Sequence, residues 1–177
     1  LWTFPESPRP LLTDFLQMDG DWIVATDAHC PCHDAQICEL VLDVARTLKI
    51  RNLCLGGDLL NFDSYSSFDR FLQKDKETTL PQELEVAGRV VESFLDWFTD
   101  ILILPGNHEL RFLRENQFQP TFEMLIRLMG LSDSLRSRIA VNVGPNSTAL
   151  YRHCILSGYR VTHAKNFSVK PKRVATR

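Results

Sequence analysis

The sequence lacks any stretch approaching the roughly 18 consecutive apolar residues that a membrane-spanning helix needs, which excludes such a span. Its opening residues, LWTFPESPRP, lack the basic-then-apolar plan of a secretory signal. A soluble, cytoplasmic protein with no membrane partner is therefore expected. Cysteines are few and odd in number: Cys30, Cys32, Cys38, Cys54 and Cys154 follow no regular framework. A chain able to build a core needs no disulfide staples, so reduced thiols are expected. Charge of one sign is also missing. The 20 Lys and Arg against 22 Asp and Glu leave a net charge of -2, which provides no global attraction to nucleic acid or to an anionic membrane.

What is present is the composition of a globular protein: 44% apolar and 24% charged residues over a length of 177. That length suits one domain with a substantial core. Neither an internal repeat nor a low-complexity tract divides it, so a single domain over residues 1–177 is expected. The chain begins with Leu and ends in VKPKRVATR with no Gly or Pro stop after its last apolar segment. It reads as a piece of a longer protein, incomplete at its C-terminus.

Periodicity supplies the architecture. Trp22–Thr26 is a short apolar run, and Ile37, Leu40, Val41, Val44 and Leu48 then recur at helical spacing. A second run, Leu53–Leu55, ends at Gly56-Gly57-Asp58, and a second helical pattern follows at Leu84, Ala87, Val91, Phe94, Leu95 and Phe98. Thr79 and Gln82 have the spacing of a capping box for its start. A third run, Ile101–Leu104, ends at Pro105-Gly106-Asn107-His108, before a pattern at Phe122, Leu125, Ile126 and Met129. Strands alternating with helices predict an α/β protein with a largely parallel sheet covered by helices, its site beyond the carboxyl ends of the strands. Ile139–Val143, Ala149–Leu156 and Tyr159–Thr162 also read as strands, the last two joined around Ser157-Gly158 as a hairpin. They predict a second, mixed or antiparallel sheet.

The polar residues fall where the strands end. Asp27-Ala28-His29, Gly57-Asp58, Asn107-His108 and His163 each follow an apolar run. Carboxylate, imidazole and amide donors suit Mn²⁺, Zn²⁺ or Fe, and one Asp can bridge two ions through its two oxygens. Two such ions about 3.5–4 Å apart can hold a phosphate ester and activate water for in-line attack. Each piece also has a plain structural reading. Asp27 can cap a helix, Gly56-Gly57-Asp58 can be a tight turn, Asn107-His108 can open a helix with Glu109 near its positive end, and His163 can be a polar strand terminus. The metal reading rests on their joint, ordered occurrence.

As an ordered set, these motifs resemble the calcineurin-like metallophosphoesterase superfamily, with its sequence DxH, GDxx(D/N), GNH(D/E), a later His, and GHxH. Asp27-Ala28-His29, Gly57-Asp58-Leu59-Leu60-Asn61, Gly106-Asn107-His108-Glu109 and the His163 segment match the first four, over residues 21 to about 165. The resemblance implies an α/β/β/α sandwich with mixed sheets flanked by helices. It implies two divalent ions, Mn²⁺ favoured, with Asp27 and His29 on one, Asp58 bridging, and Asn107 and His163 on the other. His108 is then the non-ligand imidazole that binds phosphate and protonates the leaving oxygen. The implied activity is hydrolysis of a phosphodiester or phosphomonoester.

The last motif, GHxH, has no match after His163. By the resemblance, each ion then lacks one imidazole, and weakened metal binding with little activity is expected of this chain. Phosphoprotein phosphatases carry an Arg in GDxVDRG; here Gly57-Asp58 continues as Leu59-Leu60-Asn61-Phe62-Asp63, which argues against that branch. A nuclease of the same superfamily is the alternative enzyme, and a non-catalytic binding or scaffold module retaining the fold is the alternative of another class. Nucleic acid stays open as a partner. Aromatics between Phe62 and Phe71 and the basic Lys165, Lys170, Lys172, Arg173 and Arg177 lean toward it, while the acidic balance leans away. Packing is the favoured role for those aromatics. Cys30, Cys32 and His33 beside His29 invite a zinc-finger reading, but no second ligand pair lies at finger spacing. Arg111 and Arg114 are candidates to reach a phosphate, or simply a solvated helix face.

Overall fold

The computed structural model describes residues 17–62, 65, 78–116, 121–141 and 153–163. Within them, β2 (Trp22–Ala25), β3 (Asn52–Leu55), β4 (Asp100–Ile103) and β5 (Ile139–Val141) form a four-stranded, all-parallel sheet in the order β2-β3-β4-β5. A three-stranded sheet, in the order β1-β6-β7, joins β1 (Gln17–Met18) parallel to β6 (His153–Leu156), which pairs antiparallel with β7 (Tyr159–Thr162). The helices are α1 (Ala35–Leu48), α2 (Leu80–Leu95), α3 (Asn107–Glu115), α4 (Phe122–Leu128) and α5 (Asp133–Arg136). The protein is therefore α/β with one parallel and one mixed sheet. None of the described helices is long and apolar enough to cross a membrane.

The hairpin of β6 and β7 turns at Ser157-Gly158, as the glycine there predicts. Ile139–Val141, expected in the second sheet, instead extends the first one beside β4. A three-residue apolar run has no periodicity that distinguishes the two sheets. Gln17–Met18, too short to be legible as a strand, supplies the other edge of the small sheet. The expected strand starting at Ala149 begins among the described residues at His153, and residues 149–152 lie outside them.

Alternation along β3 and β4 divides the core. Leu53, Leu55, Ile101 and Ile103 face a large cluster to which all five helices contribute, including Leu84, Val91, Phe98, Leu113 and Phe122. Cys54 and Leu102 point the other way, into a small cluster with Leu104, Cys154 and Leu156 between the sheets. The layers are thus helices, parallel sheet, mixed sheet, with side chains of period two serving both interfaces.

Local chemistry sets the helix ends. Asp34 Oδ1 accepts from the backbone N–H of Gln36 (2.9 Å) and Ile37 (3.3 Å) to start α1, and Lys49 ends it in the left-handed conformation at φ 58°. At α2, the Gln82 side chain reaches back to the Thr79 N–H at 2.9 Å, as the capping-box spacing predicts. The two helices then differ in what they bury. α2 buries Leu84, Ala87, Gly88, Val91, Phe94 and Leu95. α1 buries only Ala45, and Ile37, Leu40, Val44 and Leu48 of its apolar stripe are exposed.

Candidate metal centre

Every donor-bearing loop leaves the carboxyl end of a strand of the parallel sheet, except that of His163, which follows β7. The loop after β2 is drawn onto the loop after β3 by backbone bonds: Asp27 N–H to Gly57 O (3.0 Å), His29 N–H to Asp58 O (2.9 Å) and Cys30 N–H to Leu59 O (2.8 Å). Asp27, His29 and Asp58 all take left-handed conformations, with φ of 59°, 50° and 53°. Such conformations are costly for residues with side chains, and they gather at functional sites.

Glycines make room for the approach. A Cβ on Gly57, itself at φ +113°, would stand 2.5 Å from the His163 ring, and one on Gly106 would overlap the Asp58 carboxylate. The glycines of the second and third motifs thus admit a histidine and an aspartate to one small volume.

The resulting cluster has Asp58 at its centre, 2% exposed. His163 Nε2 stands 3.4 Å from Asp58 Oδ2 and 3.6 Å from Asp27 Oδ1. His29 Nε2 stands 3.8 Å from Asp58 Oδ2 and 3.7 Å from Asp27 Oδ1, and His108 Nε2 is 4.0 Å from Asp58 Oδ2. Two groups of donors, Asp27/Asp58/His163 and His29/Asp58/His108, each lie within 4.8 Å and share Asp58.

Orientation of the imidazoles decides what these distances mean. His29 Nδ1 faces Asn61 Oδ1 at 3.2 Å, and His108 Nδ1 makes a short contact with the Asn61 carbonyl. A carbonyl oxygen only accepts, so both Nδ1 atoms carry a proton and both rings turn Nε2 toward the Asp58 carboxylate. The 3.4–4.0 Å separations of these Nε2 atoms, His163 included, from the carboxylate oxygens are longer than ordinary hydrogen bonds. They match instead the roughly 3.4 Å spacing of tetrahedral donors around an ion with bonds of about 2.0–2.2 Å. The donor set fits a divalent cation.

The remaining groups hold this arrangement. Asp58 Oδ1 accepts the His108 backbone N–H at 2.9 Å, which leaves Oδ2 toward the imidazoles. Thr26 Oγ1 donates to Asp27 Oδ2 at 2.6 Å. Burial raises the Asp27 pKa, but this is outweighed by the Thr26 bond and by His163 and His29, so the carboxyl lies below its ordinary value. Glu109, fully buried, accepts from the N–H groups of Asp58 (3.1 Å), Leu60 (2.8 Å) and Gly106 (2.8 Å), tying the second motif to the third. Burial, with Asp58 adding repulsion, pushes Glu109 up to about 7.

Of the expected site residues, Asp27, His29, Asp58, His108 and His163 converge. Asp27 and His29, which the resemblance puts on one ion, stand 3.7 Å apart beside Asp58, while Asp27 also groups with His163 and His29 with His108. Asn107 is the first residue of α3, half-buried beside His108 in the chain. It opens a helix as well, so the structural and the functional reading of that motif are compatible.

Sequence reasoning passed over Asn61 and Glu109 as site residues, although both lie inside the quoted motifs. Their roles run through backbone atoms and a second side chain, which no spacing rule encodes. The packing role expected for the aromatics holds where it is described. Phe62 is buried and stacks on Phe112 at 4.5 Å, with Tyr65 edge-on to both. Neither donor group includes a cysteine; Cys30 is buried and Cys32 exposed. Arg111 and Arg114 lie on α3, half-buried and exposed. Asp63, Phe68, Phe71 and the basic residues from Lys165 onward lie outside the described residues. No protein-family model, curated protein or solved structure matches the chain.

Proposed function

We propose that the protein is a calcineurin-like metallophosphoesterase, with the α/β/β/α sandwich of that superfamily, and hydrolyses a phosphoester at a dinuclear metal centre. The observation that carries this reading is the sharing of Asp58 between two donor groups whose imidazole Nε2 atoms face carboxylates. A carboxylate common to two groups is what a pair of adjacent ions requires. Asp27, His29, Asp58 and His163, with Asn107 adjoining, would hold the ions. When bound, they would supply Lewis acidity and a nucleophile at neutral pH.

The chain's own residues contribute positioning and proton transfer. Asn61 fixes two rings at once, His29 through its side chain and His108 through its backbone carbonyl. His108 Nδ1 keeps its proton on that carbonyl, so Nε2 is the atom that gains and loses one. As imidazolium it can hydrogen-bond a phosphate oxygen and pass the proton to the leaving alkoxide. Glu109 keeps the Asp58 and His108 loops in register, and Thr26 orients Asp27.

Metal titration tests the reading. Mn²⁺ should bind at up to about two ions per chain, weakly for want of the imidazole each ion lacks, raise the unfolding midpoint and support slow hydrolysis of a phosphodiester or phosphomonoester. Asp58→Asn should abolish metal binding while circular dichroism stays native. Native folding with no Mn²⁺ binding in the parent chain, or undiminished binding in Asp58→Asn, would overturn it.

A further inference from the structure

Beside the donor groups lies a pocket of about 180 Å³ between α1 and the parallel sheet. Its depth is apolar, made by Leu55, Leu59 and Phe94, all buried. Cys38 and Val41 of α1 form a wall, and Asp27 and His33 belong to the lining. The pocket therefore runs from a donor of the metal centre to a greasy interior. A cavity of about 150 Å³ with apolar walls accepts one benzene ring.

A second observation points to a ligand. His33 Nδ1 is buried without a hydrogen-bond partner, a condition rare enough in folded proteins to need an explanation. His33 belongs to the pocket lining, and a polar substituent on the pocket's occupant would partner that nitrogen.

We propose that this pocket receives the organic group of the phosphoester: a single planar, largely apolar ring bearing one polar substituent opposite His33. The inference rests on the metallophosphoesterase reading and narrows its substrate class to small aryl or heteroaryl esters. The phosphoryl end lies at Asp27 and the ring between Val41 and Phe94. Long polar or highly charged alcohols, whose hydration the pocket cannot replace, are disfavoured.

The test uses two non-hydrolysable probes, phenylphosphonate and methylphosphonate, titrated into the full chain with Mn²⁺ and again with EDTA. Phenylphosphonate should bind about tenfold or more tightly than methylphosphonate, the advantage of one buried ring, and both should need Mn²⁺. Val41→Trp and Ile37→Trp fill or narrow the pocket without touching a donor; in whichever folds, the phenyl advantage should vanish while methylphosphonate affinity is kept. Equal Mn²⁺-dependent affinities in the parent chain would overturn the pocket assignment and leave the metal centre standing. Binding of neither probe, or binding indifferent to Mn²⁺, would remove the metal reading and this inference with it.

Discussion

α1 and α2 carry the same kind of apolar stripe, yet the fold treats them in opposite ways. α2 buries its stripe against α4 and the sheet, and Phe98 beyond its end is fully enclosed. α1 leaves Ile37 (56%), Leu40 (55%) and Leu48 (61%) exposed. Its strand, β2, is also an edge of the described parallel sheet. An apolar stripe thus identifies a helix and its preferred face, but whether that face is covered depends on what packs nearby. The metal centre straddles this divide: Asp58, His108 and Glu109 belong to the enclosed side, and Asp27, 50% exposed at its side chain, to the open one.

The largest contrast is expected from truncating the two stripes. Phe98→Ala should cost about 3–5 kcal/mol in urea unfolding, the range for a fully buried Phe. Leu48→Ala should stay within about 0.5 kcal/mol. An equal cost for both would mean that α1 is covered in solution.

Gly88 sharpens the comparison with a change of sign. Gly→Ala inside a helix ordinarily gains up to about 1 kcal/mol. At Gly88, a Cβ would overlap the Met129 carbonyl of the α2–α4 contact, so Gly88→Ala should instead destabilise by about 1–3 kcal/mol. A gain would show that α4 can withdraw from α2 at no cost.

The last contrast concerns charge. The acids of α1, such as Asp43, are exposed, whereas Glu109 on the enclosed side is raised to about 7 by burial and Asp58. A carboxyl whose folded pKa exceeds its unfolded one stabilises the fold below the ordinary carboxylate range, and that contribution is lost as pH rises through about 7. With EDTA present, the parent chain should lose stability between pH 5 and pH 8 relative to Glu109→Gln. Parallel pH profiles would place Glu109 in a more solvated setting.

Much of the site could be read from the sequence because each donor follows an apolar strand, and strand ends of a parallel sheet share one edge. Asp27, His29, Asp58 and His108 needed nothing more. Asn61 and Glu109 escaped because their work is done by a carbonyl and by backbone N–H groups, which leave no trace in residue type. β5 was placed in the wrong sheet because three apolar residues carry no signature of their neighbours, and β1 is too short to carry any.

By itself, then, the sequence determined the alternation of strands and helices, the capping of α2, and the order in which donors arrive, since these depend on residues within a few positions of one another. Only the tertiary structure decided that Asp27, His29, His108 and His163 close around Asp58, that Asn61 aims two imidazoles, and that the stripe of α1 lies open beside an apolar pocket. Those outcomes depend on loops distant in sequence meeting at Gly57 and Gly106, where the absence of a Cβ lets them close.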